Sequence, residues 1–399
     1  MTKNRLIFFF IVLIFTSCTK ERIVPDDNSG SEQFQYGSCD FGPEVNIFPN
    51  SPSDSSNPFY LGKKKRHKQF GSGCIGNDNV IYFVTRVANG HGVSGGNIYW
   101  SKSVDEGATW EPLRLFEQDV VNDASTEDLR DCNIYYDAVT EKYFLIYTHL
   151  YGIVNNNYSN VTGQLKVFIG DRPFESEMID ISPGIVPFDN GATVPSMQTF
   201  ESFHRVGSNL YLPCYKWSSG GDEKTSIIKF TFNDVLPLTN AVQNMQWNTV
   251  KDWDIFGDTE ITMFLSYLED GTHQLNVISR RSEIDDMGYY TYSVDGGNTW
   301  AEKEPLGFQV SGGPRVFEIN GEYMLIAREQ YISNQMTVYA MFSKDGKHWG
   351  GRKIVSDCGT GYASLIKCRS GKNLLFYGKE NGHLGIQVYR EVFFNKTNQ

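Results

Sequence analysis

The chain has 399 residues, with 36 Lys or Arg against 47 Asp or Glu, so its formal net charge is −11. No sustained basic stripe interrupts this acidic balance, which argues against nucleic acid as a partner. No segment keeps a helical period, and the apolar residues occur in short runs separated by turns. The sequence therefore predicts an all-β protein with one large domain, and we expect it to be a monomer.

The N-terminus has the features of an export signal. Basic residues precede an apolar run over residues 6–15, which is shorter than the roughly 20 residues of a membrane-spanning helix. Thr16-Ser17-Cys18 then resembles a bacterial lipoprotein box. The resemblance implies a signal peptide over residues 1–18 and a lipid on Cys18, which would anchor the protein to the outer membrane on its periplasmic or cell-surface face. The alternative is an ordinary cleaved signal, with Cys18 unmodified or removed.

The segment after the signal differs in composition from the rest of the chain. Residues 19–57 are rich in Ser, Asn, Asp and Pro, so we expect a flexible tether. Residues 58–399 form the remaining domain. A basic run at residues 63–68 lies near its start, and we interpret this run as a solvated approach to the first strand rather than a polyanion site.

Cysteine spacing gives no sign of a metal site. Besides Cys18 there are six cysteines, which form neither a C-x-x-C pair nor a cluster with histidine. We therefore expect no zinc or other metal and no cofactor. An exported protein can oxidise its cysteines, and Cys358 and Cys368 are near enough in sequence to meet across a hairpin, but the sequence does not determine the pairing.

Short apolar and aromatic segments recur along the domain, separated by turns rich in Gly and Asn. The predicted strands are Val80–Val84, Tyr143–Tyr147, Asn209–Leu212, Gln274–Ile278, Tyr323–Ile326 and Asn373–Tyr377.

One sequence motif, the repeated phrase of this chain, occurs twice in full and a third time in shortened form. Residues 103–110 and 293–300 both read S-x-D-x-G-x-T-W, and residues 343–349 keep Ser, Asp, Gly and Trp in that order. Ser and Asp can bond turn amides, Gly adopts a positive φ and Trp covers the corner with apolar area. The phrase therefore predicts a repeated hairpin turn.

The spacing of these turns predicts the architecture. The first two copies are 190 residues apart, or four steps of 47.5, and the third follows after 50. Degenerate hairpins at residues 167–174 and 228–247 occupy two of the intermediate steps. A period near 48 is typical of one four-stranded propeller blade, and residues from about 58 onwards leave room for six blades.

The repeated phrase resembles the Asp box of sialidases and their relatives, a family of six-bladed β-propellers. In that family a Glu at the start of a strand is followed by a D-G turn, an Arg and an Asp box. This chain has Glu260, Asp270-Gly271, Arg280 and the box at Ser293. The resemblance implies that Glu260 is the family's glutamate and that Arg280, or Arg281 in the alternative register, binds a sugar carboxylate. Composition alone favours a surface carboxylate at position 260.

A second match involves a tyrosine. Gly361-Tyr362-Ala-Ser364-Leu365 resembles the family's G-Y-S-x-L segment, which holds the nucleophile. With a reference pKa of about 10, a tyrosine needs a base beside it. The resemblance implies that Glu260 is this base, so we expect the two side chains within roughly 2.6–3.2 Å of each other. The alternative is a packed strand aromatic, since the chain has 22 tyrosines.

The resemblance implies three arginines that bind the sugar carboxylate, and this chain matches them only in part. No arginine corresponds to the family's R-I-P segment ahead of the first strand, where Lys68 or Arg66 would have to substitute. For the third arginine, strict register before the last box falls on Asn334-Gln335. Of the nearby candidates Arg328 and Arg315 we prefer Arg328, because it ends an apolar strand.

The family's acid/base aspartate has no match in the loop before the first box. His91 is the residue of that loop with a pKa suited to proton transfer near neutral pH, although a loop histidine is often a bystander. The pair Arg130-Asp131 opens the second blade, where it either stabilises the blade or supplies the missing acid.

Together these residues predict a sialidase-like exo-glycosidase that cleaves a terminal acidic sugar from a glycan. Tyr362 would be the nucleophile and Glu260 its base, and the unmatched positions leave the identity of the sugar open. Two alternatives remain. One is a glycan-binding propeller without turnover, and the other is a uronate lyase that uses His91 and Tyr362 as base and acid.

Overall fold

The computed structural model describes residues 38–48, 56–57, 59–61, 67–116, 126–157, 161–191, 196–218, 223–232, 245–254, 260–280, 287–330, 336–381 and 384–395. They belong to one compact unit that spans residues 36–399. The candidates Cys18 and Arg281 lie outside the described residues, as do the predicted signal peptide and most of the predicted tether. Within the described ranges, no helix has the length and apolarity needed to cross a membrane.

The described chain is built from short antiparallel strands. In chain order they are β1 (Ser38–Phe41), β2 (Val45–Asn46), β3 (His67–Ile75), β4 (Ile81–Ala88), β5 (Asn97–Ser103), β6 (Arg114–Leu115), β7 (Glu127–Asp137), β8 (Lys142–Tyr151), β9 (Thr162–Gly170), β10 (Ile179–Asp180), β11 (Ser196–Gln198), β12 (His204–Val206), β13 (Asn209–Trp217), β14 (Glu223–Thr231), β15 (Trp247–Asp254), β16 (Ile261–Tyr267), β17 (His273–Ser279), β18 (Tyr289–Ser293), β19 (Glu304–Pro305), β20 (Arg315–Ile319), β21 (Glu322–Gln330), β22 (Met336–Ser343), β23 (Gly350–Ser356), β24 (Gly359–Lys367), β25 (Asn373–Asn381) and β26 (Leu384–Asn395).

In the described ranges these strands form six sheets of four or five strands each. Blade 1 contains β3 to β6, blade 2 contains β7 to β10, and blade 3 contains β11 to β15. Blade 4 contains β16 to β19, blade 5 contains β20 to β23, and blade 6 contains β24 to β26 together with β1 and β2. The all-β, six-bladed β-propeller predicted from the repeat spacing is confirmed.

The N-terminal strands correct the predicted domain boundary. β1 pairs antiparallel with β26, with Ser38 opposite Asn395, and β2 pairs with the same strand. The start of the propeller therefore supplies the outer strands of the last blade, which joins the two ends of the domain. Residues 38–46, predicted to be part of a tether, belong to the propeller. Composition missed them because these strands have only four and two residues, and β26 supplies their hydrogen-bond partners.

The core lies between neighbouring blades. Each apolar cluster in the described part of the chain joins residues of two adjacent sheets, such as Trp100 of blade 1 with Leu145 and Phe168 of blade 2. The six predicted strands overlap with β4, β8, β13, β17, β21 and β25, the central strands of the six blades. Because both faces of a central strand are covered, its sequence reads as a nearly continuous apolar run, which made it visible.

The repeated phrases form turns between the last two strands of a blade. In the first turn Ser103 Oγ donates to Asp105 Oδ1 and accepts from the Gly107 N–H, both at 2.8 Å. The Thr109 N–H donates to Asp105 Oδ1 at 2.8 Å, and Trp110 Nε1 donates to the Gly107 carbonyl at 3.1 Å. Gly107 has a φ of 85°, which accounts for the glycine.

The other repeats follow the same plan. Residues 293–300 make the same four contacts in blade 4. In blade 5, His348 takes the place of the missing Thr and bonds Asp345 through both its backbone N–H and its ring. The degenerate hairpins predicted at residues 167–174 and 228–247 begin in β9 and β14, which precede the last strands of blades 2 and 3, and residues 233–244 of the second lie outside the described residues.

The six cysteines in the described part of the chain are all free thiols, so Cys358 and Cys368 are not paired.

Candidate active site at the propeller axis

Three inner strands carry a bulge at corresponding positions. β3 contacts both β7 and β24, and the pairing of each strand with its neighbour shifts at residues 69–72, 130–133 and 361–364, respectively. Phe70, Asp131 and Tyr362 lie within these bulges and have φ values of 56°, 54° and 53°. A positive φ costs a residue with a side chain roughly 1–2 kcal/mol, and a bulge redirects its side chain. The strained positions therefore mark a site.

The predicted contact between Glu260 and Tyr362 is present. The Tyr362 hydroxyl donates to Glu260 Oε1 at 2.9 Å, although 102 residues separate the two in sequence. Burial raises the pKa of Tyr362 well above its usual value, and the neighbouring charges of Glu260 and Asp131 act in the same direction. The phenol is therefore protonated at neutral pH, and its proton points at the carboxylate.

Glu260 accepts two further hydrogen bonds. Arg280 Nη1 donates to Oε1 at 3.1 Å, and the Gly313 backbone N–H donates to Oε2. A Cβ atom on Gly313 would lie 2.8 Å from the Tyr362 backbone nitrogen, so only glycine allows this close approach. Sequence reasoning missed Gly313, although the adjacent pair Gly312-Gly313 was a signal for it.

Arg328 lies close to the tyrosine. Its guanidinium donates to the Ser311 carbonyl at 3.2 Å and to the Thr360 carbonyl at 3.4 Å, and the residue is 7% exposed. Its positive charge acts on Tyr362, whose pKa it lowers against the larger effect of burial.

Arg315 has a different environment. Its Nε lies 3.1 Å from Glu201 Oε1 in a buried ion pair. Both residues line a cavity of about 360 Å³ whose walls include Ser72, Asn133 and Ser364, the residues at which strand pairing resumes after the three bulges. The structure therefore favours Arg328 over Arg315 as the arginine beside Tyr362.

Arg130 and Asp131 have separate partners. Arg130 Nε donates to Asp128 at 3.1 Å, and Asp128 also binds the buried Arg86 at 2.8 Å, so these charges join blades 1 and 2. Asp131 accepts a hydrogen bond of 2.6 Å from Gln198, a residue that sequence reasoning did not identify. Burial raises the pKa of Asp131 to about 6. A carboxyl group with this pKa can exchange protons near neutral pH.

His91 lies in a second group of polar side chains. Its Nδ1 is 3.6 Å from Glu380 Oε2, and His67 Nε2 is 3.7 Å from Glu380 Oε1. Burial lowers the pKa of His67, and the adjacent His67 and His91 rings lower the pKa of Glu380 to about 2. At pH 7 His67 is therefore neutral and Glu380 ionised. The Phe70 ring connects this group to the first, since its centroid lies 5.1 Å from His91 and 5.0 Å from Tyr362.

Lys68 is not solvated, contrary to our interpretation of the basic run. It is 2% exposed, and burial lowers its pKa to about 8. Both faces of β3 are covered here, since residues 67–73 are all buried. The preceding residues 63–66 lie outside the described ranges.

Solved structures with the same architecture include several sialidases. A protein of unknown function from Dyadobacter fermentans has a TM-score of 0.65 at 12% identity, over 90% of this chain and 99% of that one. Trypanosoma rangeli sialidase in complex with the inhibitor DANA has a TM-score of 0.62 at 13% identity, over 88% of this chain and 60% of that one. Leech intramolecular trans-sialidase, complexed with 2,7-anhydro-Neu5Ac, has a TM-score of 0.59 at 14% identity, over 84% and 69% of the two chains.

No family model and no curated protein matches the chain. The likeness to solved structures lies far below 25% identity, so it concerns the fold. The chain folds as a six-bladed β-propeller of the sialidase type.

Proposed function

We propose that the protein is a sialidase-like exo-glycosidase that removes a terminal acidic sugar from a glycan. The observation that carries this proposal is the 2.9 Å hydrogen bond from Tyr362 to Glu260. The two residues belong to different blades, and apolar packing does not require the phenol of a strained bulge to meet a carboxylate from another blade. Sialidases are the glycosidases known to use a tyrosine nucleophile.

Tyr362 acts as the nucleophile and Glu260 as its base. As the phenolic oxygen bonds to the anomeric carbon, its proton passes to Glu260 Oε1 and the glycosidic bond breaks. A neutral phenol with an adjacent base is suited to an acidic sugar, because no phenolate has to approach the sugar carboxylate. Water then cleaves the tyrosyl–sugar bond, and Tyr362 regains its proton.

Two guanidinium groups supply positive charge beside this pair. Arg280 lies 3.1 Å from Glu260 with 26% of its side chain exposed, so a ligand can reach it. Arg328 Nε is buried and has no hydrogen-bond partner among the described residues. A planar fork of donors can bind both oxygens of a carboxylate at once, so we assign the sugar carboxylate to these two arginines.

Asp131 is our candidate for the acid that protonates the leaving oxygen. Like Tyr362, it lies in a bulge of a strand that contacts β3, and its raised pKa of about 6 keeps a usable protonated fraction near neutral pH. His91 is the less favoured acid, because its charged partner is Glu380 and it shares with Tyr362 only a contact with the Phe70 ring.

The test is a product assay on aryl glycosides of sialic and uronic acids. We expect release of a free reducing sugar, with no ultraviolet absorbance from an unsaturated sugar. Tyr362→Phe abolishes this release, whereas the control Tyr267→Phe, at a tyrosine 66% exposed, does not. An unsaturated product would indicate the lyase instead. Tight binding of all these glycans without turnover would indicate a binding module.

We further propose that the protein is exported and anchored by a lipid on Cys18, on the basis of the N-terminal sequence alone. We expect the full chain to partition with membranes and Cys18→Ala to be released. Recovery of the unmodified wild-type chain in the soluble periplasmic fraction would contradict the anchor.

A further inference from the structure

Three potential metal ligands converge beside the candidate active site. One ligand atom from each of His67, His91 and Glu380 lies within 4.8 Å of the other two. The His91 Nδ1–Oε2 distance is 3.6 Å and the His67 Nε2–Oε1 distance is 3.7 Å. Two donors bound to one tetrahedral ion at 2.0–2.1 Å lie roughly 3.3 Å apart. The two measured distances, which go to different oxygens of Glu380, exceed this spacing by about 0.3–0.4 Å, so the carboxylate has to turn and the rings have to close in to hold one ion.

The His67 ring is buried, and its charged neighbour Glu380 lies beyond hydrogen-bond distance. The His67 side chain is 0% exposed, and neither ring nitrogen has a hydrogen-bond partner among the described residues. A buried polar group without a partner costs about 1–3 kcal/mol, and such groups are rare in folded proteins. The carboxylate at 3.7 Å is beyond hydrogen-bond distance, so an ordinary His–Glu contact does not satisfy this ring.

We propose that His67, His91 and Glu380 bind one divalent transition-metal ion, for which Zn²⁺ is the best match. Two imidazole nitrogens and one carboxylate form a ligand set used by catalytic zinc sites, and three protein ligands leave a fourth coordination position open. His91 is 47% and Glu380 33% exposed, so the open position faces solvent. This proposal replaces the expectation of no metal, which rested on ligand spacing along the chain.

The position of the site indicates what the ion does, and this role rests on the proposed function. His67 begins β3, the segment in which no arginine matches the sialidase pattern. The Phe70 ring contacts both His91 and Tyr362. The bound ion thus supplies positive charge where the first arginine is missing, and its open position accepts an anionic oxygen of the sugar.

The experiment uses the full chain, purified in detergent without a histidine tag and stripped of metal. Isothermal titration with ZnCl₂ is expected to show one ion per chain. Glu380→Gln and His91→Ala, both at partly exposed positions where folding is not at risk, each weaken binding by about tenfold or more. His273→Ala, a histidine in blade 4, leaves the affinity unchanged. Co²⁺ is expected to give visible absorption bands of a four- or five-coordinate ion, which Glu380→Gln removes.

Equal zinc affinity in the wild type and in Glu380→Gln, or no binding at either, would overturn the inference. These binding readouts do not depend on turnover, so they separate it from the proposed function. If one ion binds and the Tyr362→Phe chain releases as much sugar as the wild type, the metal site stands and the tyrosine mechanism fails. If sugar is released through Tyr362 without any metal binding, the tyrosine mechanism stands and the metal site fails.

Discussion

The repeated turns and the axial site differ in where their residues find interaction partners. In the turns, Ser103, Asp105 and Gly107 form hydrogen bonds with one another within five residues, and the positive φ values of Glu106 (53°) and Gly107 (85°) belong to this local turn. At the axis, Phe70, Asp131 and Tyr362 take a positive φ despite their side chains, and their partners come from other blades. A turn whose hydrogen bonds form between neighbouring residues stabilises the fold. A strained backbone whose side chains find their partners in other blades indicates a functional site.

We therefore predict that substitutions in the two regions affect different properties, namely turnover at the axis and stability in the turns. A substitution at the axis changes turnover and leaves the fold intact, because the surrounding blades determine its backbone. A substitution in a turn lowers the free energy of unfolding and leaves turnover intact.

The largest effect is expected for the Tyr362–Glu260 pair. Tyr362→Phe and Glu260→Gln each lower kcat by about 10³-fold or more, because either change removes the activated nucleophile. The double variant loses little more than either single one, since the two groups act as a unit. Steady-state kinetics on the best aryl glycoside, with circular dichroism to confirm folding, measures this. Additive losses would mean that the residues have separate roles.

Asp131→Asn is expected to lower kcat by about 10²–10⁴-fold on substrates with a poor leaving group. Aryl glycosides whose phenol is already a good leaving group are affected far less. In the wild type the Asp131 proton is lost as pH rises through about 6, so kcat on poor leaving groups falls above that pH. An equal loss on both substrate types would exclude Asp131 as the acid.

The same residue has a consequence for stability. A pKa raised in the folded state means that the neutral carboxyl is favoured, so its contribution to stability is complete at low pH and is lost as pH rises through about 6. Asp131→Asn removes this loss. Urea denaturation is expected to show the variant gaining stability relative to the wild type between pH 4 and pH 7, and a constant difference would contradict it.

The smallest effect is expected in the turns. Ser103→Ala leaves the buried Gly107 N–H without its acceptor and lowers the free energy of unfolding by about 1–3 kcal/mol. Ser293→Ala makes the matching loss at Gly297 and is expected to fall in the same range. Neither changes kcat. Thr109→Val, at an exposed contact, is the control and costs less. A loss of turnover in Ser103→Ala without a loss of stability would contradict the assignment of the turns to stability alone.

The sequence predicted the turns and strands better than the axial site. The turns, the central strands and the blade count were readable because each depends on local pattern and spacing. The closing strands β1 and β2 were not, since they are short and their partner lies at the other end of the domain.

At the axis, Glu260 and Tyr362 were identified through the resemblance to a family, and their contact followed from that. Gly313, Gln198 and Glu380 were missed, because each acts on a residue that is distant in sequence. Arg328 was preferred to Arg315 because it ends an apolar strand, and only the fold shows that Arg315 pairs with Glu201. The roles of all these side chains stay predictions until they are tested.

The central claim is that Tyr362 bonds covalently to the sugar during turnover. A difluorinated acidic sugar with a good leaving group forms the tyrosyl intermediate and slows its hydrolysis, so mass spectrometry after proteolysis can locate it. We predict that the added mass lies on the peptide containing Tyr362 and is absent from Tyr362→Phe. Turnover by the wild type with no adduct on that peptide, together with undiminished kcat in Tyr362→Phe, would contradict the account.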